Sequence, residues 1–176
     1  MANVLVLIVI VLWIFALIIL VWQISNICSV IFGSPYVSAG GRIIKKALEL
    51  VKIKKGEIFY DLGCGKADSL IYAANNFGAK AVGFEISPYY YLWSKVRTLP
   101  YSNIDVRYRN IKNVDLSYAD VVYCYLMPDF LEKLGPKFKR ELKKSARLIS
   151  ISFKVPGLKL LKKTKIENKT IYIYRK

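Results

Sequence analysis

Histidine is missing from this chain. Its absence removes Ser-His-Asp and Cys-His nucleophilic triads and any His-ligated zinc or non-haem iron site. The cysteines, Cys28, Cys64 and Cys124, are odd in number and lack C-x-x-C spacing. That usage suits a reducing compartment and excludes a zinc ribbon, so no metal is expected. No G-x-x-x-x-G-K-[ST] run occurs, which rules out a Walker phosphate loop. Acids are scarce: 12 Asp and Glu stand against 28 Lys and Arg, for a net charge of +16.

Charge of either sign is also missing from the beginning of the chain, where no Asp, Glu, Lys or Arg precedes Arg42. Val4 to Trp22 is unbroken apolar sequence, and the character continues, diluted by Gln23, Ser25, Asn26 and Ser29, to Phe32. At about 1.5 Å per residue the undiluted run covers roughly 28 Å, close to the hydrocarbon thickness of a bilayer. A secretory signal would need a basic n-region and a shorter apolar stretch. A buried core helix of this length has no use in so small a domain. The reading adopted is a transmembrane anchor over 1–32, contacting the bilayer through residues 4–32. Arg42, Lys45, Lys46, Lys52, Lys54 and Lys55 all follow it. The positive-inside rule then implies a single pass with the remaining chain on the cytoplasmic side.

Residues 33–41 are punctuated by Gly, Ser and Pro and read as a linker; residues 42–176 form one domain. Ile43, Ile44, Ala47, Leu48 and Val51 recur at helical spacing. Ile58 to Leu62 is a short apolar strand running into a glycine turn. A helix through Leu70 and Phe77 ends near Gly78, suited to a left-handed cap. Ala81 to Phe84 is a second strand. Ser87-Pro88 opens another helix towards Leu99. Strands follow over Ile104 to Tyr108, Ala119 to Leu126 and Leu148 to Phe153. Helical signals over Phe130 to Leu142 are interrupted by Gly135-Pro136. Lys163 to Glu167 and Thr170 to Tyr174 suit a terminal hairpin about Asn168-Lys169. Strands alternating with helices predict an α/β, Rossmann-like sheet, mostly parallel with an antiparallel C-terminal edge.

The most informative stretch is Tyr60-Asp61-Leu62-Gly63-Cys64-Gly65, followed by Val82-Gly83-Phe84-Glu85 at the end of the second strand. Two strands ending in acids, joined by a glycine turn and a helix, suit an adenosine: the glycines admit close backbone approach and the second acid binds ribose hydroxyls. A dinucleotide site wants G-x-G-x-x-G, but the last position here is Asp68. Asp61 would also repel a pyrophosphate. An acid there favours a cation, and S-adenosylmethionine carries both an amino group and a sulfonium.

With these motifs the chain resembles the small class I, seven-β-strand protein lysine methyltransferases. That group includes an archaeal broad-specificity enzyme and the membrane-anchored mitochondrial enzymes of the adenine nucleotide carrier and the ATP synthase c-subunit. D-L-G-C-G, V-G-F-E and the upstream Pro35-Tyr36-Val37 carry the likeness, which extends over roughly Pro35 to Tyr174. The resemblance implies that Asp61, Gly63 and Gly65 line the methionine and ribose part of the cofactor. It implies that Glu85 holds the ribose diol and that Asn110 faces the adenine. Tyr125 and Pro128 would form the methyl-transfer end, and Tyr36 would belong to a segment folding over the cofactor. The family's D-G-R after G-C-G is replaced by Lys66-Ala67-Asp68, with Ala67 tolerable at negative φ and Lys66 placing a cation near a cationic ligand.

A lysine amine must arrive neutral, although its ordinary pKa is about 10.4; an apolar or aromatic slot lowers it. Tyr36, Tyr123, Tyr125 and Phe130 are candidates for such a slot, Tyr123 being equally suited to plain strand core. No residue stands out as a general base, Asp129 being the nearest option. The expected partner is a protein lysine, including one on a membrane protein. The basic surface leaves open RNA or a lipid-associated small molecule as acceptor. A degenerate methyltransferase fold serving as a membrane-tethered binding module is the alternative outside catalysis.

Overall fold

A computed structural model describes residues 2–32 and 37–176. In chain order the elements are α1 (Ala2–Phe32), α2 (Gly41–Val51), β1 (Ile58–Leu62), α3 (Asp68–Phe77), β2 (Lys80–Glu85), α4 (Pro88–Thr98) and β3 (Ile104–Tyr108). A 3-10 turn (Ile111–Asn113) leads to β4 (Val121–Cys124), α5 (Pro128–Glu141), β5 (Arg147–Ile151), β6 (Lys159–Ile166) and β7 (Lys169–Arg175). The strands form one sheet in the order β3-β2-β1-β4-β5-β7-β6. β1 to β5 are parallel, and β7 joins β5 antiparallel with β6 outside it. This is the expected Rossmann-like sheet with its antiparallel edge. Strand order reverses direction between β1 and β4, and the crevice beyond the carboxyl ends of those two strands is where such sheets take ligands.

Side-chain alternation divides the core between the two faces. Phe59 of β1, Tyr123 of β4 and Ile149 of β5 meet Ile43, Ile44, Ala47, Leu48 and Val51 of α2 and Leu70 and Ala73 of α3. On the other face Tyr60, Leu62, Val122 and Leu148 meet Phe130, Leu131, Leu134 and Phe138 of α5. The expected break at Gly135-Pro136 does not occur: α5 runs through both residues. Gly135 lies where an added Cβ would stand 3.0 Å from Pro156 Cγ. The buried stripe of α5 therefore outweighs the one backbone bond that Pro136 cannot donate.

Helix α1 has its apolar side chains exposed along Val4–Leu20. It meets the domain at Ser25, buried, whose Oγ accepts the Tyr89 N–H of α4 at 2.9 Å. The stretch Asn3–Ser25 is long and apolar enough to cross a membrane.

Candidate active site

The turn between β1 and α3 is pinned to the end of β2. Gly63 N and Cys64 N donate to Phe84 O at 2.9 and 3.1 Å, and Gly65 N donates to Glu85 Oε2 at 2.9 Å. Gly63 and Gly65 have φ of 90° and 52°, the left-handed region that a side chain disfavours. Ala67, which would be tolerated without strain at negative φ, lies at 66°. It precedes α3 and its N–H donates to Cys64 O at 2.8 Å, so the turn closes on itself at the cost of local strain. Gly83 of β2 explains why V-G-F-E needs its glycine. A Cβ there would stand 2.5 Å from Leu70 Cδ1 and 2.7 Å from Cys64 Sγ.

Two buried carboxylates flank this turn. Glu85 is almost saturated by backbone: Oε1 accepts Ile86 N and Ser87 N, both at 2.9 Å, and Oε2 accepts Gly65 N. Burial raises its pKa, and the three amide bonds oppose the rise. Asp61 is different. Its Oδ2 accepts the Ser69 hydroxyl, while Oδ1, fully buried, has no hydrogen-bond partner among the described residues. Burial pushes its carboxyl up to about 7, against the Ser69 bond and with help from the charges of Glu85 and Asp68. An orphaned buried carboxylate oxygen is stabilised by a cation or a donor that completes it. The donor set thus fits the ammonium of S-adenosylmethionine and disfavours a pyrophosphate.

Tyr123 stands beside Asp61 on β4, in register with it. It belongs to the core cluster, its ring centroid 6.4 Å from that of Phe59, as the strand-core alternative had it. Its hydroxyl also has no partner among the described residues. Burial first, and Asp61 second, push its phenol well above the ordinary value.

Asn110 follows β3, half-buried, and its Oδ1 accepts Lys112 N at 3.0 Å. Next to it, Arg109 N donates to Glu85 O at 3.0 Å, tying this loop to the end of β2. The pairing of Leu62 with Cys124 sets Tyr125, one residue beyond β4, abreast of Gly63. Leu126 Cδ2 lies 3.7 Å from where a Cβ on Gly63 would be. Pro128 is exposed as the first residue of α5, one residue after Met127, whose carbonyl accepts Phe130 N and Leu131 N. Tyr36 lies outside the described residues. The structure therefore brings Asp61, Gly63, Gly65 and Glu85 into one hydrogen-bonded corner with Tyr125 beside it. Asn110 adjoins this corner through the bond of Arg109 to Glu85, and Pro128 lies three residues beyond Tyr125 at the start of α5.

Three participants escaped sequence reasoning. Ser69, in the first turn of α3, orients Asp61; a hydroxyl there carries no motif. Arg97 of α4 pairs with Asp68 at 2.7 Å and also donates to Lys66 O, while Lys66 Nζ lies 5.7 Å from the Trp93 ring centroid. The third is Lys169, at the start of β7. Its Nζ sits 4.6 Å from the Tyr125 ring centroid and donates to Ser38 O at 2.9 Å and Ala39 O at 3.1 Å. Sequence separation hid it; only the antiparallel return of β7 beside β5 brings it to this edge.

The sheet order and the crevice above β1 and β4 define a class I methyltransferase, an enzyme that uses S-adenosylmethionine. The fold is shared with an RNA methyltransferase from Salinibacter ruber solved in complex with S-adenosyl-L-homocysteine. The match has a TM-score of 0.76 at 26% identity and covers 79% of this chain and 93% of that one. Residues 61–162 match the ANTKMT methyltransferase domain, and the chain belongs to that family. It is 33% identical over 149 residues to a protein-lysine N-methyltransferase of Saccharolobus islandicus, covering 80% of this chain and 92% of that protein. It is 28% identical over 126 residues to the adenine nucleotide translocase lysine N-methyltransferase of Mus musculus, covering 69% of this chain and 54% of the relative. The figures for the lysine N-methyltransferase of the ATP synthase c-subunit from Xenopus laevis are 28% over 126 residues, with 70% and 55% covered. The chain thus spans about half the length of these vertebrate relatives.

Proposed function

We propose that this methyltransferase is tethered to a membrane by α1 and transfers methyl groups to lysine side chains of proteins. The observation that carries the acceptor is the seat occupied by Lys169: an aromatic face, that of Tyr125 one residue beyond β4, and two carbonyl oxygens gathered around a lysine nitrogen. A tyrosine face attracts the ammonium on arrival. Carbonyls hold N–H groups in either protonation state, so they can orient the amine while its proton leaves to solvent. The lysine-methylating relatives in Saccharolobus islandicus and Mus musculus support the same acceptor.

In this reading Asp61 Oδ1 takes the cofactor's ammonium, Gly63 and Gly65 let the backbone approach, and Glu85 takes the ribose diol through the one lone pair left on Oε2. Asn110 faces the adenine, Tyr125 and Pro128 form the methyl-transfer end, and Tyr36 belongs to the segment that folds over the cofactor. S-adenosylmethionine supplies an electrophilic methyl on a sulfonium when bound. The protein's task is then to hold the acceptor in line with it and to exclude water. The tether reading rests on the uncharged α1 and on basic residues confined to the chain beyond it, which also favours a single pass with the domain in the cytoplasm.

RNA is the second reading, favoured by the +16 charge and by the nature of the Salinibacter ruber neighbour. Incubating the full chain with methyl-labelled S-adenosylmethionine and fractionated lysate separates the two. Label in protein, released as methyl-lysine on hydrolysis, is the expected result; label confined to RNA or lipid overturns it. Tyr125→Ala should raise the acceptor KM by about 3- to 30-fold, the cation–π contribution of roughly 0.5–2 kcal/mol. Cofactor affinity, measured in parallel, should fall by less than the acceptor KM rises.

A further inference from the structure

Helix α4 is inside out. The residues it turns inward include Ser94 and Thr98, both buried, whose hydroxyls donate back to the carbonyls of Tyr91 and Ser94 at 2.8 Å each. The residues turned outward are Leu92, Trp93, Val96 and, at its C-cap, Leu99, with 58%, 45%, 67% and 79% of their surface exposed. A surface helix ordinarily buries its apolar stripe and presents its polar one. These four residues recur at i, i+1, i+4 and i+7, one continuous apolar stripe. They remain exposed although α1 packs against the same helix.

We infer that the outer face of α4 lies on the bilayer surface, so that the domain rests on the membrane through a second contact besides α1. The inference rests on the tether reading above. Its occupant follows from continuity: the Ser25–Tyr89 bond joins the end of the apolar span to the first turn of α4, so α1 delivers that face to the interface. The composition also fits headgroup depth. Trp93 stacks on Tyr89 at 6.1 Å between centroids, with Lys66 5.7 Å from the Trp93 ring and Lys95 and Arg97 on the flanks. Aromatic rings beside basic groups are the composition of membrane interfaces, and anionic lipid attracts the lysines. A second copy of the chain is a poorer occupant, because two chains each of net charge +16 repel. Since α4 begins three residues after Glu85, the contact also sets the cofactor crevice near the membrane plane.

The test uses the full chain with Cys28→Ser, reconstituted in vesicles of phosphatidylcholine with a minority of phosphatidylglycerol. Spin labels are placed one at a time at Ile14→Cys, Val96→Cys and, as a water-exposed control on α5, Lys133→Cys. Their collision rates are read against molecular oxygen, which concentrates in the bilayer, and a water-soluble nickel chelate. The expected result is oxygen-dominated relaxation at 14 and 96 and nickel-dominated relaxation at 133. Position 14 in the bilayer with position 96 matching 133 would overturn the docking while leaving the tether intact. A position 96 shielded from both reagents and broadened by a neighbouring spin would put a second copy on the face, and would overturn it too. Position 14 in water would remove the tether, and the docking with it.

Discussion

Asp61 sits at a conflict between burial and charge that the pH axis exposes. Its carboxyl titrates at about 7 in the folded chain, against about 3.9 when unfolded. A raised folded value means that the unfolded chain releases the proton first. The favourable state of Asp61 is therefore complete below about pH 4 and is lost as pH rises through 7. Asp61→Asn removes the penalty, so its melting temperature should exceed that of the native protein by a margin that grows from pH 4 to 7 and stays flat above. At about 1.4 kcal/mol per unit, the margin corresponds to a few kcal/mol. Cofactor binding should move the other way, because a cation prefers the ionised acid. Affinity should rise by up to tenfold per pH unit below 7, until the ligand's own amino group loses its proton near pH 8. Calorimetric titrations across pH, showing no slope below 7, would remove Asp61 from the cofactor site. Glu85 differs because its oxygens already serve three amides. Glu85→Ala strands all three and Glu85→Gln only one, at about 1–3 kcal/mol for each donor left unsatisfied. Thermal melts should rank native above Gln above Ala, and both variants should lose cofactor affinity by about 1.5–3 kcal/mol, the worth of a bond to a charged group.

Elements made of regular alternation or strong caps were legible from sequence; those set by their neighbours were not. The stripe Ile43–Val51, the Gly78 cap and Ser87-Pro88 each encode a local preference, and each element formed where that preference placed it. The pattern starts β6 only at Lys163 and misses Lys159–Lys162, because this is an edge strand dense in exposed lysines, with no buried face to impose alternation. Such lysines are a common guard against edge-to-edge pairing. The break expected in α5 failed because helix ends answer to the buried stripe as well as to proline. Within the site, Asp61, the glycines and Glu85 were readable because contiguous motifs specify them. Ser69 and Lys169 depend on contacts between separate elements. Gly83 is the element-scale hinge of the design, since it lets the α3 turn sit on β2. Gly83→Ala should destabilise the fold by about 1–3 kcal/mol, as overpacked cores do, read as a lower denaturant midpoint at unchanged m-value. An unshifted midpoint would show that Leu70 and Cys64 can give way.

At the scale of the whole molecule, the question is whether α1 builds the pocket or only places it. One hydrogen bond that ties it to the domain, between Ser25 and Tyr89, lies in the first turn of α4, two residues from the Ser87 amide that holds Glu85. The path is short enough to matter. Yet the bonds that shape the corner run among residues 61–87. Once α1 is removed, water can replace Ser25 at the N–H of this half-buried first turn with little loss, since a net hydrogen bond is worth about 0.5–1.5 kcal/mol. Removing the residues before Gly33 should therefore leave S-adenosylmethionine affinity within about tenfold of the full chain, by that same margin. Methylation of a soluble lysine-rich protein should survive the truncation. On the proposed tether, methylation of membrane-embedded acceptors should fall much further, because an anchor through α1 would confine enzyme and substrate to one surface and raise their effective concentration. Equal losses on both acceptors would mean that α1 shapes the pocket itself, through the start of α4.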